Sequence, residues 1–284
     1  MRPSGDISIL CLGDTHGGSA CGLTPPPWQY TMRGAKDLDT PARMRRQLFA
    51  RVQRALWDGY DEILRELGPV DIAVGNADLV DGAHFETIEH ITTDIEQQAN
   101  ITIEALSRVK FRGRPEWRFT YGTPVHTVNG ENIEHRIAER FGGEIADTIK
   151  LRLNGLNIQW RHHAGRSDIP TGQGGQLSKE IVRDILRASL YHFPAADVVV
   201  RSHVHYWYHL GFADKEAFSL PSLEVPISIY GRKLRTLYYD MGMVKLTVDR
   251  HGNLDYQKRL IPLNLVLDEE YHEWQPADKA KRSA

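Results

Sequence analysis

Five times along this chain a short apolar run of strand length stops and gives way, within a few residues, to aspartate or histidine. Ile7-Ser8-Ile9-Leu10-Cys11-Leu12 leads through Gly13 to Asp14-Thr15-His16, and Val70-Asp71-Ile72-Ala73-Val74 leads through Gly75-Asn76-Ala77 to Asp78-Leu79-Val80-Asp81. Trp117 to Tyr121 is followed by Gly122, Thr123 and His126, Leu156 to Trp160 by His162-His163, and Val198 to Arg201 by His203-Val204-His205. Runs of this kind suit strands buried on both faces. In layered α/β folds ligands gather beyond the carboxyl ends of such strands. The repetition therefore constrains both the architecture and the place where chemistry happens.

Helical segments separate the runs. Asp39 or Thr40 can cap a long helix with Pro41 in its first turn and Gly68 at its end. Leu48, Val52, Leu56, Ile63, Leu64 and Leu67 recur along it at helical spacing. Residues from about Ile88 to Val109 and from Glu131 to Phe141 read as further helices, the latter stopped by Gly142. Asn154-Gly155 marks a hairpin between two short strands. The Gly-rich stretch Thr171-Gly172-Gln173-Gly174-Gly175 lacks the Gly-Lys-Ser/Thr of a P-loop and is expected to be a flap over the site. Ser178 caps a helix running to about Tyr191, and strands follow at Leu237 to Tyr239, Val244 to Val248 and Leu254 to Leu260. The order predicts an α/β fold of sandwiched sheets flanked by helices. Residues 1–275 are read as a single domain and 276–284 as a polar tail.

Bulk properties narrow the function. With 284 residues the chain can bury a substantial core, and a net charge of -2 gives no extended basic surface for coating duplex nucleic acid. Two cysteines, Cys11 and Cys21, point to a reducing compartment rather than a disulfide framework. No apolar stretch approaches the roughly 20 residues that span a bilayer, and no apolar signal core precedes the first strand. The expectation is a cytoplasmic protein without a membrane partner. Histidine is abundant at 13 residues, several in tight pairs. Mixed carboxylate and imidazole donors suit divalent ions of the manganese, iron or zinc type better than calcium.

Taken together and in order, Asp14-Thr15-His16, Asn76-Ala77-Asp78-Leu79-Val80-Asp81, Gly122-Thr123-Pro124-Val125-His126, His162-His163 and Ser202-His203-Val204-His205 resemble the motifs of the calcineurin-like metallophosphoesterase superfamily. The resemblance covers about residues 7 to 210. It implies an α/β/β/α fold and two divalent ions, manganese first, with iron, zinc or nickel as other choices. It implies Asp14, His16 and His205 as ligands of one ion, Asp78 as the carboxylate bridging both, and His203 with one histidine of the 162–163 pair on the second. His163 is favoured there because His163-Ala164-Gly165 is similar to a form seen in some members; His162 stays open. His126 would contact the scissile phosphate, with Asp81 as the partner that fixes its tautomer. The implied reaction is phosphoester hydrolysis by a metal-bridging hydroxide, on a phosphodiester or phosphomonoester, with a nucleotide or nucleic-acid end favoured.

Three departures accompany the resemblance. Ala77 and Ser202 stand where glycine is usual, which is mild at Ala77 if its φ is negative. Thr123 stands in the place of an asparagine ligand of the second ion, and Asn129 or Asn76 could supply an amide instead. That change supports the alternative of a scaffold or binding protein that keeps the fold without catalysis; a single-metal hydrolase is a third reading. Trp28, Tyr30, Tyr206, Trp207 and Tyr208 flank the motifs and are expected to pack loops together rather than stack on substrate. Arg161, Arg166 and Arg201 are near enough in sequence to meet phosphate oxygens. His84, His90, His135, His192, His209, His251 and His272 lie outside the pattern and are expected to be structural or superficial.

Overall fold

The computed structural model describes residues 5–31, 38–82, 89–126, 133–167, 169–212, 214–227 and 239–262. Two sheets lie at its centre. In the first, β1 (Ile7–Leu12), β2 (Ile72–Gly75), β3 (Trp117–Thr120) and β4 (Glu144–Ala146) are parallel neighbours. The antiparallel strands β10 (Gly242–Val248) and β11 (Leu254–Leu260) extend it beyond β1. The second sheet runs β5 (Ile149–Leu153), β6 (Leu156–Trp160), β7 (Val198–Arg201), β9 (Lys215–Ser219) and β8 (Tyr208–Phe212). Here β6, β7 and β9 are parallel, while β5 and β8 are antiparallel edges.

Alternation along the strands decides the layering. Ile9 and Cys11 of β1, with Ile72 and Val74 of β2, meet Ile158, Trp160, Val198, Val200 and Phe218 of the second sheet in an inter-sheet core. Leu10, Leu12 and Ala73 face the other way, into a core built with Phe49, Val52, Leu56, Tyr60 and Ile63 of α1 (Thr40–Leu67). α2 (Ile95–Leu106) and α3 (Glu134–Phe141) cover the same face. On the far side, Leu177 and Ile181 of α4 (Pro170–Tyr191) pack on Val199 and Ala217. The result is helix, sheet, sheet, helix, the four-layer order that the resemblance implied.

Local chemistry agrees with most predicted boundaries. Asp39 accepts from the Ala42 N–H at 2.8 Å, capping α1, and Gly68 closes that helix with φ of 64°. Asn154 and Gly155, both at positive φ, make the β5–β6 hairpin turn. The described part of the second predicted helix is shorter than expected, beginning at Ile95 after the Asp94 cap.

The Gly-rich 170s are a correction. They are not a flap but the first turns of α4, which begins at Pro170. Proline is pre-set for a first helical turn, and a side chain on Gly174 would come within 2.8 Å of the Tyr208 hydroxyl. The glycines let this end of α4 lie against β8 at a cost in helix propensity that the packing offsets. β4, β8 and β9 carry no strong sequence signal and were not anticipated. Most of the strand expected at 237–239, together with the 276–284 tail, lies outside the described residues, as do His84, Asn129 and His272. No described helix is long and apolar enough to cross a membrane.

Candidate metal centre

Every cluster from the sequence arrives at one end of the two sheets. Asp14 and His16 follow β1, Asp78 and Asp81 follow β2, and Thr123 and His126 follow β3. His162 and His163 follow β6, and His203 and His205 follow β7. Main-chain hydrogen bonds weld the loops into a platform. Asp14 N–H donates to Ala77 O at 2.9 Å, His16 N–H to Asp78 O at 3.1 Å and Ser202 N–H to His162 O at 2.9 Å.

The backbone under these side chains is strained. Asp14, His16, Ala77, Asp78, His203 and His205 all have φ between 43° and 74°, the left-handed region that residues with a Cβ avoid. Ala77, with φ of 62°, therefore occupies a position better suited to glycine, and the premise of a negative φ there does not hold. Concentrated strain of this kind marks positions whose side-chain direction matters more than local stability.

Asp78 belongs to two donor groups, one with His162 and His203 and one with His16 and His126. Asp14, His16 and His205 each offer a ligand atom within 4.8 Å of the others, as do Asp78, His162 and His203. His205 Nε2 lies 3.2 Å from Asp14 Oδ1, and His162 Nε2 lies 2.8 Å from Asp78 Oδ2 and 4.0 Å from Asp14 Oδ1. His203 Nδ1 is 3.9 Å and His126 Nε2 3.4 Å from the same Asp78 oxygen.

The donor set fits divalent cations. His16 Nδ1 is 3.3 Å from Asp81 Oδ1, and His162 Nδ1 is 2.8 Å from the Asn76 carbonyl, so each ring is oriented through one nitrogen. His16 Nε2 is buried without a hydrogen bond, 3.5 Å from Glu224 Oε2, and His162 Nε2 is buried against Asp78 Oδ2 at 2.8 Å. A buried polar atom left this way has a cost that a bound cation removes. The two Nε2 atoms are the ones an ion would engage.

Electrostatics are extreme because four carboxylates and five imidazoles share a buried space. Burial would push the Asp78 carboxyl up, but His162 and His126 outweigh it and hold the group well below the usual carboxylate range. Burial opposes charge on His16, yet Glu224, Asp81 and Asp78 raise its pKa to about 10. His162 rises to about 9, the pull of Asp78 and Asp14 overcoming desolvation. His126 goes the other way, to about 4, because burial dominates and Asp78 offsets it only in part.

Several expectations change in detail. His162, not the favoured His163, reaches Asp78; His163 is exposed and its ring meets His203 at 4.7 Å between centroids. The Asp81 carboxylate does not hold His126. It meets His16 Nδ1 at 3.3 Å and His90 Nε2 at 2.7 Å, and the Asp81 main-chain carbonyl fixes His126 Nδ1 at 2.8 Å. His90 thereby joins the site's surroundings. Thr123 Oγ1 stands 3.0 Å from each Asp78 oxygen. Asn76 cannot replace the missing amide: its Nδ2 donates to Ser202 Oγ at 2.8 Å and its Oδ1 accepts from Thr120 Oγ1 at 2.8 Å.

Two residues escaped the sequence reading. Glu224, in the segment after β9, puts Oε2 3.5 Å from His16 Nε2 and 3.7 Å from His205 Nδ1. Glu134, at the start of α3, accepts from Leu79 N–H at 3.1 Å and Gly122 N–H at 2.8 Å. Burial, then the nearby Asp78, raises its pKa to about 7.

Among the arginines, Arg201 is buried and bound to Glu180 at 3.0 Å and Gln159 at 2.8 Å, so it is structural. Arg166 donates to the Tyr239 hydroxyl at 2.9 Å. Arg161 alone of the three is exposed. The flanking aromatics pack: Trp28 donates to Glu104, Tyr30 to the His90 carbonyl, and Trp207 lies against Phe218 and Tyr256.

No protein-family model matches the chain, and no curated protein does. Among solved structures, a predicted phosphoesterase from Streptococcus pneumoniae aligns at 11% identity over 89% of this chain and 90% of its own, with a TM-score of 0.37. An archaeal phosphodiesterase gives 12%, 89%, 99% and 0.40 in the same order. Vps29 of Entamoeba histolytica complexed with zinc gives 11%, 90%, 99% and 0.37. The likeness at these values is one of outline, and the roles assigned below rest on this chain's own residues.

Proposed function

We propose that this protein is a phosphoesterase using two divalent cations, with Asp78 shared between them. The observation that supports it is that Asp78 lies in two donor groups, one with His16 and His126 and one with His162 and His203; Asp14 and His205 gather around the same His16, and the Thr123 hydroxyl stands beside Asp78. Glu224 faces the first group and is available to it. Two bound cations would neutralise phosphoryl oxygens and lower the pKa of a bound water, the chemistry that ester hydrolysis at phosphorus needs.

The chain's own residues supply the rest. Asp81 and the Asn76 carbonyl hold the rings of His16 and His162 in the tautomer that leaves Nε2 free toward the cations. His126, with Nδ1 tied to the Asp81 carbonyl, presents Nε2 beside Asp78 at 3.4 Å, where a phosphoryl oxygen or leaving oxygen would lie. An entering phosphate anion raises the affinity of that nitrogen for a proton, which suits it to hold or deliver one.

The test is metal analysis of the purified protein together with hydrolysis of bis(4-nitrophenyl) phosphate in the presence of manganese. About two metal equivalents and metal-dependent turnover are expected. Bound metal without turnover on any phosphate ester would favour a binding protein on the same scaffold, and the absence of both would overturn the reading.

A further inference from the structure

Beside the metal centre lies a cationic groove that no part of the site described above uses. A hollow of about 150 Å³ at the centre is lined by Thr123, His162, His163 and Arg161. Arg161 also lines a larger cavity of about 440 Å³ between the β5–β6 edge of the second sheet and α4. That volume lies within the range of roughly 300–1,000 Å³ typical of small-ligand sites. One exposed guanidinium thus stands at the boundary of both spaces.

The larger cavity is strongly cationic in a chain whose net charge is only -2. Lys150, Arg161, Arg183, Arg187 and Arg201 line it, against Glu180 and Asp184. Both carboxylates are already engaged. Glu180 binds Arg201 and Arg183, while Asp184 accepts from the Gln159 amide and the Ala196 N–H. Lys150 lies over the Phe193 ring, 3.5 Å from its centroid. Lys150, Arg161 and Arg187 make no ion pair among the described residues, and all three are exposed. The groove therefore carries positive charge that its own acids do not neutralise.

We propose that this groove binds the continuing strand of a single-stranded oligonucleotide, placing its second phosphate among Arg161, Arg187 and Lys150. Phosphate contacts from lysine and arginine provide affinity without reading sequence. A duplex is disfavoured because the groove is a pocket along one helix rather than a broad basic face. The proposal rests on the phosphoesterase reading for its substrate class, but the binding it asserts can be measured without turnover.

The experiment uses the whole chain and a fluorescein-labelled tetrathymidylate, with binding followed by anisotropy across a salt series. The K150Q/R187Q double variant changes two exposed side chains outside the metal centre, so folding and hydrolysis of bis(4-nitrophenyl) phosphate should be unchanged. Its affinity for the oligonucleotide should fall about tenfold at low salt, and the salt slope should shrink by about 1.4, the value for two lost single-strand phosphate contacts. R161Q should add to the loss. Unchanged oligonucleotide binding in the double variant, or no binding by the wild type, would overturn the groove assignment. Failure of the wild type to hydrolyse any ester, with oligonucleotide binding intact, would instead overturn the parent reading.

Discussion

His162 and His163 are neighbours with opposite fates, and the difference is phase along one strand. His162 shares a face with Ile158 and Trp160, turned into the molecule, while Arg161 and His163 are exposed. His162→Ala should therefore lose one of two metal equivalents by mass spectrometry of the metal, and His163→Ala should keep both. His126→Ala should retain both as well, yet lower turnover by about a hundredfold or more, the scale of a lost proton donor. The choice within the histidine pair was legible in the sequence, since period-two alternation from Trp160 points to His162; the His-x-Gly likeness obscured it. Glu224 was harder. It belongs to no motif, and the one signal was a lone carboxylate inside the apolar stretch Leu220-Pro221-Ser222-Leu223-Glu224-Val225-Pro226-Ile227, where a charge must have a buried partner. Glu224→Gln should weaken binding of one ion by roughly tenfold or more while the other is little affected, as isothermal titration would show.

At the level of elements, the motif loops depend on supports that sequence pattern does not reveal. The turn after β3 has no room for a side chain at Gly122, where a Cβ would come 2.2 Å from Asp78 Oδ1. The same turn is pinned by Glu134 from α3, which also holds the Leu79 N–H beside Asp78. Glu134→Ala leaves the buried Leu79 N–H and the partly buried Gly122 N–H without that acceptor, the buried one worth about 1–3 kcal/mol and the other less, partly offset by releasing a buried carboxyl. A net loss of about 2 kcal/mol is expected in denaturant unfolding at neutral pH, with weakened metal binding because the Asp78 turn loosens. An unchanged midpoint would show that the turn is held by other contacts. The ordered apolar runs made β1, β2, β3, β6, β7 and the long α1 legible. The glycines that open α4 did not read as helix, because local propensity opposes the state that packing against β8 imposes.

Across the whole molecule, the centre couples folding to pH, and bound cations would couple to it as well. In metal-free protein His16 and His162 titrate near 10 and 9, above the ordinary 6.5, so the folded state binds their protons more tightly than the unfolded chain does. Their contribution is fully present below about pH 6.5 and is lost as pH rises toward 9 to 10. The raised Glu134 acts in the same direction at lower pH, since ionising a buried carboxyl above its ordinary value of 4.5 and through about 7 costs stability. Asp78 is depressed and matters only in acid, where its contribution is lost as it is protonated. Metal-free protein should thus lose several degrees of Tm between pH 7 and 9 in chelator, measured by scanning calorimetry. Cation binding requires the same imidazoles deprotonated and so strengthens as pH rises. With saturating manganese the alkaline loss should shrink or reverse, because the ion takes over the neutralisation of Asp14, Asp78 and Glu224 that protons perform without it. Parallel pH profiles with and without manganese would mean that the histidines titrate independently of any ion, and the centre would then be a buried charge network rather than a metal site.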